Sequence, residues 1–270
     1  MKTERFGFIG VGNMGGALAR AACRSADAAN VLAADRMQEK AEALAAECGC
    51  RTADAEAVAA QADFIFLGAK PQAMSALLAE IHPVLAARQD RFVLVSMAAG
   101  LSIARICELA GEEYPVIRIM PNTPAAVGEG MILYTANERV TEEELASFVK
   151  GMSGAGRFDR IDEKLIDAAS AISGCGPAFV YLFLEALADG GVECGLPYDK
   201  ALQYAAQTVA GSARMVLESE RHPEALKNAV CSPGGTTIAG VHALESGAFR
   251  ALAMDAVCAA YRKTLELGKK

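Results

Sequence analysis

The sequence predicts an α/β protein, a doubly wound parallel sheet followed by an all-helical domain. Three observations carry this. Short runs that are apolar on both faces alternate with amphipathic stretches as far as about residue 160, the pattern of a parallel sheet covered on both sides. Gly10-Val11-Gly12-Asn13-Met14-Gly15 stands where the first run gives way to the first helical stretch. After Asp162 the strand-like runs stop and only helical stretches follow. The division therefore falls between residues 161 and 162.

The elements follow in order. Phe6-Gly7-Phe8-Ile9 is a strand, ended by the glycines, and residues 14–23 form a helix. Val31-Leu32-Ala33-Ala34 is the second strand, and the Glu/Lys/Ala-rich segment 37–48 is built from good helix formers. Phe64-Ile65-Phe66-Leu67, Phe92-Val93-Leu94-Val95 and Val116-Ile117-Arg118-Ile119 are further buried strands, and residues 131–134 add an edge strand. Beyond 162, helices are predicted over 165–172, 177–194, 197–218, 223–230, 236–244 and 249–267. Pro177, Pro197 and Pro223 suit first turns, and Gly195 and Gly247 suit helix ends. Residues 178–188 are apolar almost all round, and such a helix must be covered on every side. About 110 residues of helix cannot easily do this alone, which predicts a homodimer.

Composition narrows the function. The chain has 270 residues, 53% of them apolar, with 26 basic against 33 acidic and a formal charge of -7. That balance disfavours nucleic acid or an anionic membrane as partner, while leaving room for an anionic small molecule. Eight cysteines occur without a CxxC and with three scattered histidines, so free buried thiols in a reducing cytoplasm are expected and no metal site. Glu4 and the glycines at 10–16 interrupt any signal-like run, and the 178–188 stretch is short for a membrane span and carries Glu185. A soluble, cytoplasmic protein is expected.

The glycine segment carries the first chemistry. Gly10 allows a tight turn, Gly12 lets the backbone approach a pyrophosphate, and Gly15 permits close packing, with Asn13 and Met14 on the same helix start. The strand–turn–helix context makes it a Rossmann dinucleotide site. Ala34-Asp35-Arg36, at the end of the second strand, bears on the choice of dinucleotide. Asp35 would accept from a ribose 2′-hydroxyl and repel a 2′-phosphate, whereas Arg36 would clamp that phosphate or stack on adenine. The pair points both ways, so NADP(H), NAD(H) or both are expected. Gly68-Ala69-Lys70-Pro71 and Ala98-Ala99-Gly100 end later strands, on the carboxyl edge where open sheets bind ligands. Their small residues leave room for ribose and nicotinamide, and Lys70 could meet a phosphate or a hydroxyl. Met120-Pro121-Asn122-Thr123-Pro124 adds a rigid loop on that edge.

Ser232-Pro233-Gly234-Gly235-Thr236-Thr237 carries the second. Pro233 fixes one turn, the glycines permit conformations closed to other residues, and the threonines open a helix with hydroxyls and N–H groups. Consecutive amides at a helix start form an anion site without a lysine. The plainer reading is a Gly-Pro loop with a threonine N-cap.

Together these segments resemble the pyrroline-5-carboxylate reductases. The matches run nearly the whole chain in the family's order: Phe8 to Gly15, Ala69 to Pro71, Ala98 to Gly100, Met120 to Pro124, Ser173-Gly174-Cys175-Gly176-Pro177-Ala178, and Cys231 to Ile238. Cys175 stands where a serine is usual, and Asp35 where the family often has a neutral residue. The resemblance implies hydride transfer from a nicotinamide to the imine carbon of 1-pyrroline-5-carboxylate, giving L-proline. It implies residues 1–161 as the dinucleotide-binding domain and 162–270 as the substrate-binding and dimerisation domain. It also implies a dimer with interwoven helical domains, often built into a ring such as a decamer.

On that reading the amides of Gly235, Thr236 and Thr237, beyond Gly234, hold the substrate carboxylate. The Thr237 hydroxyl serves the ring nitrogen, and Glu163, Ser173 and Gly174 are candidates for the pocket wall. Glu220 is a weaker candidate for a lid. A 3-hydroxyacid dehydrogenase of the related family would need a lysine after the Ser173-Gly174-Cys175-Gly176 turn, and none occurs before Lys200. A non-catalytic dinucleotide sensor would need no second anion site.

Overall fold

The computed structural model describes residues 4–267, Leu267 by its backbone alone. Phe6, Phe8, Phe64 and Phe66 belong to one core cluster, whereas Ile9, Ile65 and Leu67 belong to another. Alternation along each strand thus makes both faces of the sheet apolar, and both must be covered. The strands are β1 (Phe6–Ile9), β2 (Val31–Ala34), β3 (Arg51–Thr52), β4 (Phe64–Leu67), β5 (Val93–Ser96), β6 (Val116–Met120), β7 (Gly130–Ala136) and β8 (Gly156–Arg160). They form one sheet in the order β3-β2-β1-β4-β5-β6-β7-β8. All neighbours are parallel except β6 and β7.

The covering helices are α1 (Asn13–Ser25), α2 (Gln38–Cys48), α3 (Ala55–Gln61), α4 (Pro71–Ala87), α5 (Ile103–Ala110) and α6 (Glu142–Gly151). Residues of α1, α2 and α6 pack with the phenylalanine face, where Phe8 and Phe66 stack at 4.2 Å between ring centroids. Residues of α3, α4 and α5 pack with the aliphatic face. The chain runs outward through β2 and β3, then returns to β4 on the other side of β1. Strand order therefore reverses between β1 and β4, whose carboxyl ends flank the crevice that doubly wound sheets use for ligands.

The segment 131–134 is not an edge strand. It lies inside β7, which is paired on both sides, and β8 forms the edge. The Gly-Arg-Phe-Asp-Arg sequence of β8 is charged and partly exposed, which protects an edge but hides the strand from a reading based on apolar runs.

Six helices follow: α7 (Glu163–Ser173), α8 (Gly176–Glu193), α9 (Tyr198–Ser219), α10 (Pro223–Ala229), α11 (Thr236–Ser246) and α12 (Phe249–Leu267). Residues 4–175 with 260–267 make one compact unit, and Gly176–Ala259 the other. The change from strands to helices comes at 161/162, yet α7 stays with the sheet. Its Glu163 and Asp167 carboxylates accept from the Arg118 guanidinium on β6 at 3.3 and 2.6 Å, and Arg118 is 3% exposed. Removing either acid would leave the buried guanidinium with one carboxylate in place of two, a lost charge-assisted hydrogen bond that costs about 1.5–3 kcal/mol.

In the second unit, the buried apolar residues among those described are Ala188, Ala201 and Ala205. Large side chains stand open instead, among them Leu182 at 69%, Leu217 at 67% and Met254 at 69% exposure. The run Glu163–Glu193 is by length and composition apolar enough to cross a membrane, an 18-residue window within it having a mean hydropathy of 1.5. That run is longer than the stretch 178–188 judged too short. Glu220 ends α9 in the left-handed conformation at φ 54°.

The thiols are free but not generally buried. Cys50 and Cys107 are buried, whereas Cys194 and Cys258 are exposed and the other four half-buried. A hydrogen bond between Cys23 and Cys50 pulls the Cys50 thiol down to about 7 and pushes the Cys23 thiol up.

Candidate active site

The glycine turn follows β1 directly. Gly10 has φ 96°, in the left-handed region that favours glycine, and its amide donates to the Ala34 carbonyl at 2.7 Å. The Gly68 amide, after β4, donates to the Ile9 carbonyl at 2.7 Å. The two turns interlock at the switch point, because a Cβ on Gly68 would meet the Gly10 oxygen at 2.3 Å. Gly68, placed on the carboxyl edge by its position directly after an apolar strand, thus also lines the crevice.

Gly12 is the N-cap of α1, with no side-chain cap and no acid in the first turn. The amides of Asn13, Met14 and Gly15 therefore have no intrahelical acceptor. A Cβ on Gly15 would lie 2.0 Å from the Gly10 oxygen, while one on Gly12 would meet nothing within 4 Å. Gly15 lets the helix close on the turn, and Gly12 leaves open a cradle facing free amides. The residues present fit a dinucleotide pyrophosphate.

Beside the turn lies a cavity of about 500 Å³, lined in part by Gly10, Asp35, Arg36, Gly68, Ala69 and Lys70. Asp54 and Glu80 also line it, without any sequence signal that pointed to them. Arg36 and Lys70 are exposed, and Pro71 opens α4 as its first residue. The Asp35 carboxylate accepts from the Val11 amide at 2.9 Å through Oδ2 and from the Met37 amide at 3.0 Å through Oδ1. Both of its oxygens already serve the backbone. On the next loop Ala99 is exposed and Gly100 has φ 75°.

Four expected site residues have other work. Asn122 is buried; its Nδ2 donates to the Ser173 carbonyl at 2.9 Å, and its Oδ1 accepts from the Met131 amide at 3.0 Å. The side chain pins the end of α7 to the loop after β6 and is spent there, so any contact with a dinucleotide is left to its backbone. Glu163 accepts from the Ile103 amide at 2.7 Å as well as from Arg118, joining the start of α5 to α7. Its carboxylate is a brace and not an open wall of a pocket. The Ser173 hydroxyl donates to the Ala169 carbonyl at 3.3 Å, and the Gly174 amide to the Ser170 carbonyl at 2.7 Å, both closing α7.

In the second unit, Gly234 has φ 68° and the Gly235 amide donates to the Ser232 carbonyl at 3.0 Å. Gly235 is the N-cap of α11, so neither threonine caps the helix, and the Gly235 amide is already engaged. Thr236 and Thr237 occupy the first two helical positions, exposed, with amides that have no intrahelical acceptor. Of the three amides expected to hold an anion, those of Thr236 and Thr237 remain free. By contrast α3, α5 and α6 are capped by Asp54, Ser102 and Thr141. Both α1 and α11 instead begin on glycine, without a cap or a first-turn acid.

Two families match parts of the chain: "Pyrroline-5-carboxylate reductase dimerisation" over residues 163–267, and "NADP oxidoreductase coenzyme F420-dependent" over residues 5–100. A pyrroline-5-carboxylate reductase of Glycine max is 40% identical over 268 residues, 97% of this chain and 95% of that one. One of Escherichia coli strain K12 is 40% identical over 269 residues, 98% of this chain and 99% of that one. A crystal structure of the pyrroline carboxylate reductase of Plasmodium falciparum, with NADP bound, superposes with a TM-score of 0.88 at 34% identity, covering 99% of both chains.

Proposed function

The chain belongs to the pyrroline-5-carboxylate reductase family, and from that premise we propose how its residues divide the reaction. It reduces 1-pyrroline-5-carboxylate to L-proline, the last step of proline biosynthesis, with NAD(P)H supplying hydride. The observation that supports the division is the pair of uncapped glycine helix starts. One, at Gly12 to Gly15, suits the dinucleotide pyrophosphate, aided by Lys70 and the small residues Ala69, Ala99 and Gly100. The other, at Gly235 to Thr237, suits the substrate carboxylate, held by the Thr236 and Thr237 amides. No cationic side chain is needed there.

The ring nitrogen must be protonated when hydride arrives, because an iminium is the better electrophile. The Thr237 hydroxyl accepts from that N–H or orders a water that does. A threonine hydroxyl is too weak an acid to drive the step, so its contribution is orientation of the imine. Asn122 and Glu163 hold α7 to the loop after β6 and to the start of α5, and Ser173 and Gly174 close the end of α7. Addition of pyrroline-5-carboxylate to the protein with NADPH or NADH should consume absorbance at 340 nm and yield proline. Absence of turnover with both dinucleotides would overturn the reading.

The exposed apolar helices belong to the region that matches the dimerisation family, and this accounts for the hydropathy of Glu163–Glu193 without a bilayer. We propose a soluble cytoplasmic homodimer assembled further into a decamer, with residues 162–270 as the dimerisation and substrate domain. Leu182→Asp would place a charge on that apolar face. It should reduce the sedimentation coefficient to that of a single chain and abolish most activity. An unchanged assembly would exclude this face from the interface.

A further inference from the structure

We infer that Asp35 is a positioning residue for the glycine turn and not the acid that selects a ribose 2′-hydroxyl, so that discrimination between dinucleotides falls to Arg36. The inference rests on dinucleotide binding in the cleft beside Gly10. Val11 sits between the two glycines of the turn and is 7% exposed, so its amide needs a partner inside the protein. Asp35 Oδ2 supplies it at 2.9 Å. Through Oδ1 the same carboxylate holds the Met37 amide at 3.0 Å, at the N-cap of α2. One side chain thereby ties the turn after β1 to the loop after β2. An ionised acceptor makes both bonds stronger than a neutral one would.

The same geometry changes what the cavity presents to a phosphate. Two N–H dipoles point at Asp35 and offset its charge. Asp54, a second acid of the lining, is likewise turned onto a backbone amide, that of Ala57 at 2.7 Å. Arg36 adjoins Asp35, is exposed, and lines the cavity with its five donors uncommitted to any acid among the described residues. A 2′-phosphate would meet a guanidinium there, beside an acid already neutralised in part. A 2′-hydroxyl would gain little from that acid.

Titration calorimetry with NADH, NADPH and 2′,5′-ADP on Asp35→Asn, Asp35→Glu and Arg36→Ala tests this. Asp35→Asn should weaken NADH and NADPH together, by about 3- to 10-fold, and hold their ratio within about twofold. Asp35→Glu keeps the charge but moves the carboxylate off the amides, so it should behave like Asp35→Asn. Backbone amide exchange in the peptide around Val11 should quicken in both variants, with no dinucleotide present. Arg36→Ala should weaken NADPH and 2′,5′-ADP by about tenfold and NADH by less than about twofold.

A swing of tenfold or more toward NADPH in Asp35→Asn, with Asp35→Glu like the wild type, would overturn the positioning role and restore Asp35 as the selector. Unchanged exchange at Val11 would overturn it as well. Equal losses for NADH and NADPH in Arg36→Ala would remove Arg36 as the discriminator. Wild-type protein that binds none of the three would overturn the cleft assignment itself, and the inference with it.

Discussion

Thr237→Ala is expected to lower kcat by about 100-fold while leaving dinucleotide affinity and the KM for pyrroline-5-carboxylate within about threefold of wild type. The separation follows from which atoms the substitution removes. Thr237 is the second residue of α11, exposed, and its side chain does not cap the helix. Alanine keeps the backbone amides proposed to hold the carboxylate and deletes only the hydroxyl proposed to orient the imine. The cleft beside Gly10 is lined wholly by residues of the sheet unit, so dinucleotide binding has no reason to change. Thr237→Ser should recover most of the turnover, since it restores the oxygen. Steady-state kinetics with direct measurement of NADPH affinity decides the matter; wild-type kcat in the alanine variant would remove Thr237 from the mechanism.

The second large effect separates two glycines of one motif. Gly12→Val should cut affinity for both dinucleotides by about 100-fold or more and shift the Tm by no more than about 2 °C. The reason is steric. Gly12 has φ -65° and ψ -162°, which any residue adopts, and a Cβ there meets no atom within 4 Å. The protein does not need the glycine; the pyrophosphate proposed to lie there does. Gly15→Ala should do the opposite first, because its Cβ would lie 2.0 Å from a backbone oxygen and the turn must move. A loss of about 2 kcal/mol or more, read as a Tm fall of roughly 5 °C, is expected, with binding weakened as a consequence. Differential scanning calorimetry and titration calorimetry on both variants test the pair. Wild-type NADPH affinity in Gly12→Val would place the pyrophosphate elsewhere.

The strands and the two glycine helix starts were legible because their signals are local. Phe6-Gly7-Phe8-Ile9 and Phe64-Ile65-Phe66-Leu67 announce buried strands by composition alone, and both formed over those residues. Gly10, Gly12 and Gly15 announce a turn and a close approach by their spacing. β8 stayed hidden because an edge strand is kept polar, which erases the only signal that a search for apolar runs can use.

What the sequence by itself determined, then, was the backbone: where it must turn, where it must pack closely, and where amides would be left without acceptors. Those properties belong to φ and to the presence or absence of a Cβ, within a few residues of each other. What only the tertiary structure decided was which side chains remained at liberty. Asp35 is engaged by an amide 24 residues away, Asn122 by a carbonyl 51 away, and Glu163 by an amide 60 away. A buried polar group must find its partner wherever the fold brings one, and that partner is not encoded in its neighbours along the chain. The two glycine helix starts could be read from sequence, while the hydrogen bonds that hold Asp35, Asn122 and Glu163 emerged only once distant segments met.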